Sequence, residues 1–368
     1  MTSVRGAHGF QLTAPRAALQ PCDLPTLDPR SDEVVVQVAG CGVCHTDIAF
    51  AYGDVPTRHP LPLVLGHEIS GRVVAAGENG GAWLGRSVIV PAVIPCGVCP
   101  ACQAGRATIC RQQFMPGNDG NGGFATHVLV PSRGLCAVPE PLPSGLTLEM
   151  LSVVADAVTT PYEALRRSQV GAEDVVVIVG AGGVGGFGVQ IAAALGAAVV
   201  AIDIDRERLD LAARYGAGLV LDAASTDLKG LKAAVRTFVK ESGRKGIGLK
   251  IFEMSGTAAG QAIAFGLLDY GAYLGIVGFT SKPIEIRLSN LMALDATARG
   301  NWGCPPDQYP AALGMILAGK IVLTPYIEVH ALEEAPAILE AVANHSLRRR
   351  SILQPNQNKE KQRREMAR

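Results

Sequence analysis

The chain lacks any excess of charge. Its 33 lysines and arginines balance 33 aspartates and glutamates, so the formal net charge is zero. A chain of this kind has no general electrostatic footprint for nucleic acid. It also lacks a long uninterrupted apolar run. Glycines, prolines and charged residues break every stretch before the roughly 18 residues that a membrane span needs. The start, MTSVRGAHGF, has no apolar core of the kind an export signal carries. No internal repeat is present, and a hydrophobic content of 48% excludes general disorder. These absences predict a cytoplasmic protein with no membrane partner and no nucleic-acid partner. Nine cysteines without an export signal point to reduced thiols and metal ligands rather than disulfides.

At 368 residues the chain is long for a single core, so two domains are expected. Forty-three glycines indicate many tight turns. Residues 1 to about 155 read as short strands and turns, among them Glu33 to Ala39, Ile69 to Ala75, Ser87 to Val90 and Ala125 to Val130, and around Leu146 to Leu165 the pattern turns helical. From Asp174 the texture changes. DVVVIV reads as a buried strand, Gly186 to Leu195 as a helix, and Ala198 to Ile202 as a second strand. A helix over Arg206 to Tyr215, ending at Gly216, precedes a third strand at Gly218 to Leu221. Such alternation predicts an α/β fold with a doubly wound parallel sheet, continued by strands at Ile251 to Met254 and Tyr273 to Val277. The expected arrangement is a β-rich catalytic domain (1–157), an inserted nucleotide domain (158–295), and a return to the first domain (296–368) that ends in a basic tail. From Arg348 onward that tail has eight Lys or Arg against two Glu, and it reads as solvated.

Three constellations carry chemistry. Cys96, Cys99, Cys102 and Cys110 follow C-x₂-C-x₂-C-x₇-C. Four thiolates so close in sequence suit one closed tetrahedral Zn²⁺, which is structural because no coordination position stays open. A disulfide framework is the alternative, with short strained loops against it. Gly180-Ala181-Gly182-Gly183-Val184-Gly185 matches G-x-G-x-x-G between a strand and a helix. Gly180 serves the tight turn, Gly182 the approach of a pyrophosphate, and Gly185 close helix–strand packing. Asp203 lies 18 residues past Gly185, at a strand end. A carboxylate there accepts from ribose hydroxyls and repels a 2′-phosphate, which favours NAD over NADP. Asp205 is a rival for this role, and Arg208 can cover the adenosine side. Lastly, Cys44 and His67 are a thiolate and an imidazole, and a catalytic zinc uses three protein ligands. Asp156, an acid in an otherwise apolar stretch, is a candidate third, because a metal would offset the cost of burying it. Taken singly these residues have plainer readings: a buried cysteine, a satisfied core histidine, a helix cap.

Together the motifs resemble the zinc-dependent medium-chain alcohol dehydrogenase family over nearly the whole chain, from the Cys44 segment to SLRRRSIL at Ser346–Leu353. The resemblance implies a GroES-like β-rich domain plus a Rossmann domain with the active site in the cleft between them. It implies two zinc ions per chain, NAD, and a small-molecule alcohol as substrate. Cys44, His67 and Asp156 match the reactive-zinc ligands. Glu68 matches an acid close to the metal, Asp47 the carboxylate that orients His67, and Thr46 the hydroxyl that takes the substrate proton. Many relatives carry cysteine or glutamate where Asp156 stands. Ala49 replaces a histidine that extends the proton relay in several relatives, which leaves His45 or water for that task. His45 and Arg350 match contacts to the cofactor phosphates; Thr160 and Val184 match positions flanking the nicotinamide. Gly278 to Thr280 and Gly300 to Gly303 match stretches that approach the cofactor. A homo-oligomer, dimer or tetramer, is expected, with Trp302 at a subunit contact. Segments 6–15, 50–68 and 114–128 resemble family members that oxidise the ring hydroxyl of a cyclic CoA thioester, so a CoA thioester is a candidate partner. The alternatives are a general secondary-alcohol or polyol dehydrogenase, a zinc-free quinone or enoyl reductase, a non-catalytic zinc- and NAD-binding protein, and a DNA-binding zinc module.

Overall fold

The structure, a computed structural model, describes residues 3–356; the distal part of the basic tail lies outside the described residues. The chain divides into two compact units. One takes the chain up to Asp156, Gly303–Leu313, and the stretch from Ile327 onward; the other takes Ala157–Trp302 and Gly314–Tyr326.

The first unit is β-rich. Its larger sheet has seven strands, in the order Ile327–Ala331, Arg350–Gln354, Glu33–Gly42, Glu68–Ala76, Ser87–Val90 and Cys136–Ala137, with His127–Pro131 paired to Glu33–Gly42. The valines of EVVVQVA suit a pleated surface that is buried on both sides. Val34, Val36 and Val38 join Ile69, Val88, Phe124 and Val128 in one core. Val35 turns to a smaller cluster with Ala7, Leu27 and Ala75. One register matters for the chemistry. Gly42 pairs with Glu68 on one side and with Ile352 on the other. A side chain at 42 would collide with the Glu68 carboxylate, so glycine is required there.

The second unit holds a six-stranded parallel sheet in the order Leu219–Asp222, Ala198–Asp203, Val175–Val179, Lys250–Glu253, Tyr273–Ile276 and Thr297–Gly300. Numbered along the chain this is 3-2-1-4-5-6, the order of a Rossmann doubly wound sheet. The run VVVIV is buried at every position because helices cover both faces.

Two boundaries differ from expectation. The chain does not leave the nucleotide unit at 295. Thr297–Gly300 is the sixth strand, parallel to Tyr273–Ile276, and the return comes at Gly303. Its sequence, TARG, is short and exposed throughout, so it carries no apolar signature. Residues Gly314–Tyr326 then belong to the nucleotide unit, where Gln190 holds Val322 by two hydrogen bonds. The helical reading from Leu146 to Leu165 resolves into a 3₁₀ segment, Glu149–Ala155, and a helix, Thr159–Arg167. Among the described residues no helix is long and apolar enough to cross a membrane.

Candidate active site and metal centres

Asp47 organises the first centre. It lies on the helix His45–Tyr52 and is fully buried. One carboxylate oxygen accepts from the Cys44 amide at 2.8 Å. The other accepts from the Gly66 amide at 3.1 Å and faces His67 Nδ1 at 3.1 Å. Three hydrogen bonds offset the cost of burying the charge. An Nδ1–H that donates to Asp47 leaves the lone pair of His67 Nε2 to bind a metal, the usual arrangement of a metal-ligating histidine. Nε2 lies 3.6 Å from Asp156 Oδ2, and Cys44 Sγ lies 3.7 Å from the same oxygen. Ligand atoms of Cys44, His67, Glu68 and Asp156 all fall within 4.8 Å of one another. A tetrahedral zinc with arms of about 2.0–2.3 Å separates its ligands by about 3.3–3.8 Å, so the spacing of Cys44, His67 and Asp156 fits that ion. Burial alone would lower the His67 imidazole. The Asp47 charge and the hydrogen bonds of Asp156 and Asp47 reverse that and push it well up.

Glu68 is fully buried and paired with Arg350, which donates from both Nε and an Nη to the carboxylate. Burial pushes the Glu68 carboxyl up, and the guanidinium beside it opposes the shift. Arg350, which the resemblance matches to a contact on the cofactor phosphates, has its described polar contacts to Glu68, because strand Arg350–Gln354 lies beside Glu33–Gly42 and carries its first residue inward. Arg348 and Arg349 are exposed. Thr46 Oγ1 stands 3.7 Å from Cys44 Sγ. His45 stacks on His345, with ring centroids 5.3 Å apart and planes at 23°. His345 carried no signal in sequence: it is a lone histidine in a polar stretch, set by a positive φ of 53°.

The second centre is the cysteine lobe. Cys99 Sγ lies 3.5 Å from Cys102 Sγ and 3.7 Å from Cys110 Sγ, and Cys96 Sγ lies 4.0 Å from Cys102 Sγ. A disulfide needs about 2.05 Å, whereas four thiolates about 2.3 Å from one zinc stand about 3.8 Å apart. None of the nine cysteines is in a disulfide. Backbone N–H groups of Val98 and Cys99 help pull the Cys96 thiol down, while burial and the neighbouring thiols push Cys102 up, so the four thiols do not titrate alike.

The glycine turn forms as its spacing demands. Gly180 has φ +93°, and a Cβ there would lie 2.5 Å from Ser255 Cα. A Cβ on Gly185 would collide with the Gly180 carbonyl, whereas Gly182 meets only Arg208, at 3.5 Å. The open approach is therefore at Gly182. Gly183 precedes Val184, the residue before the helix Gly185–Ala194. Asp203 closes its strand and accepts from the amides of Ala181 (2.7 Å), Ile204 (2.8 Å) and Asp205 (2.9 Å). Asp205 caps the next helix through the amides of Glu207 and Arg208. The competition between these two acids is thus divided by role: Asp205 serves the helix and Asp203 the turn. Thr160 is buried on the helix Thr159–Arg167. Asn301 donates to its carbonyl at 3.2 Å and accepts from Arg167 at 3.3 Å. Asn301 lies in the Gly300–Gly303 stretch that the resemblance places near the cofactor, but nothing in the sequence singles it out there.

The fold and the two donor sets define a metal-dependent oxidoreductase class. Residues 30–140 match the alcohol dehydrogenase GroES-like domain, and residues 183–318 match the zinc-binding dehydrogenase domain. An alcohol dehydrogenase of Moraxella sp. (strain TAE123) is 30% identical over 345 residues, which span 91% of this chain and 95% of that one. The alcohol dehydrogenase of the hyperthermophilic archaeon Aeropyrum pernix superposes with a TM-score of 0.84 at 27% identity, covering 95% of this chain and 100% of its own. A zinc-binding dehydrogenase structure from Sinorhizobium meliloti 1021, bound to NADP, gives 0.80 at 25% identity, covering 95% of this chain and 99% of that one. This chain belongs to the zinc-dependent alcohol dehydrogenase family.

Elemental analysis of the purified chain should find two zinc ions. Cys99→Ser should remove one and lower the thermal midpoint; Asp156→Ala should remove the other and leave the lobe's zinc in place. Loss of both metals from either variant would show that the centres are not independent.

Proposed function

We propose that the chain oxidises a secondary alcohol to a ketone and passes the hydride to NAD. The observation that supports this most directly is the meeting of Cys44, His67 and Asp156 donor atoms at zinc-ligand spacing. A zinc ion bound there supplies the Lewis acidity that lowers the pKa of a substrate hydroxyl. Thr46 takes the hydroxyl proton at Oγ1. A nicotinamide dinucleotide held by the Gly180–Gly185 turn and Asp203 would supply the hydride acceptor, so that alcohol and NAD would give ketone, NADH and a released proton. Asp47 keeps His67 in the tautomer that presents Nε2. Ala49 carries no proton, so the onward path runs to water or to His45. The choice of NAD rests on Asp203, whose charge repels a 2′-phosphate; the Sinorhizobium protein, by contrast, was captured with NADP.

For the substrate, the resemblance of segments 6–15, 50–68 and 114–128 supports 6-hydroxycyclohex-1-ene-1-carbonyl-CoA. Its oxidation to the 6-oxo thioester belongs to anaerobic benzoyl-CoA degradation. The second reading is a general secondary-alcohol or polyol dehydrogenase, which the wide match to alcohol dehydrogenases favours. The chain is further read as a cytoplasmic homo-oligomer. In support, the edge strand Thr297–Gly300 is exposed along its length beside Trp302, half exposed at 50%.

Turnover should be compared on the CoA thioester, simple secondary alcohols and polyols, each with NAD and with NADP. The proposal expects the thioester with NAD to give the highest kcat/KM. A large preference for simple alcohols rejects the thioester, and a preference for NADP rejects the role given to Asp203. Thr46→Val should lower kcat by about 10²- to 10⁴-fold while zinc content and NADH affinity hold. Full activity across the pH–rate profile in that variant would remove Thr46 from the proton path. Light scattering should report a dimer or tetramer; a monomer at assay concentration would refute the oligomer.

A further inference from the structure

One buried carboxyl outside the metal centre is incompletely satisfied. Glu253 ends the central strand Lys250–Glu253 and is 0% exposed. Its Oε1 accepts from the Ser255 amide at 2.8 Å, the Ser255 hydroxyl at 2.5 Å and the Gly256 amide at 3.0 Å. Its Oε2 has no hydrogen-bond partner among the described residues. Burial pushes this carboxyl up, and donors from Ser255 and Gly256 pull it back. An unpaired buried oxygen costs free energy, and such costs tend to persist where function requires them.

What the carboxyl holds is informative. Ser255 packs directly against Gly180, leaving no room for a Cβ at 180. The Glu253 carbonyl accepts from the amides of Val277 (2.9 Å) and Gly278 (3.0 Å), and a Cβ at 278 would lie 2.7 Å from Oε2. The Met254 amide donates to the Val179 carbonyl at 2.8 Å. Ser255 Oγ continues to Thr257 Oγ1 at 2.9 Å, and Thr257 caps the helix Ala258–Gly266. The carboxyl therefore holds the turn after its own strand, and backbone bonds of Glu253 and Met254 with the packing of Ser255 join that turn to those after the two neighbouring strands, at the carboxyl edge of the sheet. That edge is where a doubly wound sheet binds its ligand.

We propose that Glu253 is a positioning residue for the dinucleotide: its carboxyl clasps the Ser255–Gly256 turn against Gly180 and so shapes the edge on which the cofactor lies. This rests on the reading that the second unit binds a nicotinamide dinucleotide. Glu253 touches no reacting atom. It acts through Ser255 on the glycine turn, and small displacements of such a turn are costly to binding.

The test uses the full-length, zinc-loaded chain. NADH binding is titrated by fluorescence, and steady-state kinetics are run with varied NAD on the best alcohol. Glu253→Ala should raise the NADH Kd and the KM for NAD by about tenfold or more, with kcat within about threefold of the parent. Glu253→Gln keeps an acceptor oxygen and should return both values to within about threefold. If Glu253→Ala does not fold, Ser255→Ala carries the test and should raise the Kd several-fold. An NADH Kd unchanged in Glu253→Ala, or in Ser255→Ala where the former is insoluble, overturns the inference. So does a fall in kcat matched by loss of thermal stability with KM unchanged, which marks a purely structural role. If the parent chain itself fails to bind NADH, the dinucleotide reading falls and this inference with it. If the parent binds and the variants bind equally well, only the inference falls.

Discussion

The Asp47 carboxylate is the contact on which the metal centre depends. A buried charge survives only where donors surround it, and here they are the Cys44 amide, the Gly66 amide and the His67 ring. The amide of one ligand, the amide next to the other ligand, and that ligand's imidazole are thereby tied to a single side chain. The helix His45–Tyr52 and the strand entered at Glu68 cannot move apart without unpairing that charge.

Charge balance explains the rest of the centre. A thiolate and a carboxylate would match the two positive charges of zinc, so Asp156 as third ligand would leave a filled site formally neutral. Glu68 would upset that balance, and Arg350 restores it. The pair sits in a space that exists because position 42 has no side chain. An arginine expected to serve the cofactor is thus engaged in holding an acid beside the metal. The physical cause is strand register, which no local motif encodes.

The nucleotide unit shows a similar division between local and distant causes. Strand, turn and helix around Gly180 follow from spacing alone, because each glycine answers a local steric demand. Its place at a strand end favours Asp203 over Asp205 by sequence, and hydrogen bonding gives the two acids separate roles. The sixth strand escaped notice because TARG is exposed and has no apolar period. Glu253 escaped notice because a single acid at a strand end resembles any solvated residue until its burial is known.

By itself the amino-acid order determined the two fold types, the four-cysteine lobe, the glycine turn and a set of candidate metal donors. These depend on short spacings and on side-chain chemistry that acts within a few residues. Only the tertiary structure decided which of three adjacent arginines turns inward, where the chain leaves the nucleotide unit, and what Asp47, Asp203 and Glu253 hold. Those outcomes arise from strand pairing and burial between segments far apart in sequence. Such contacts exist only once the chain has folded.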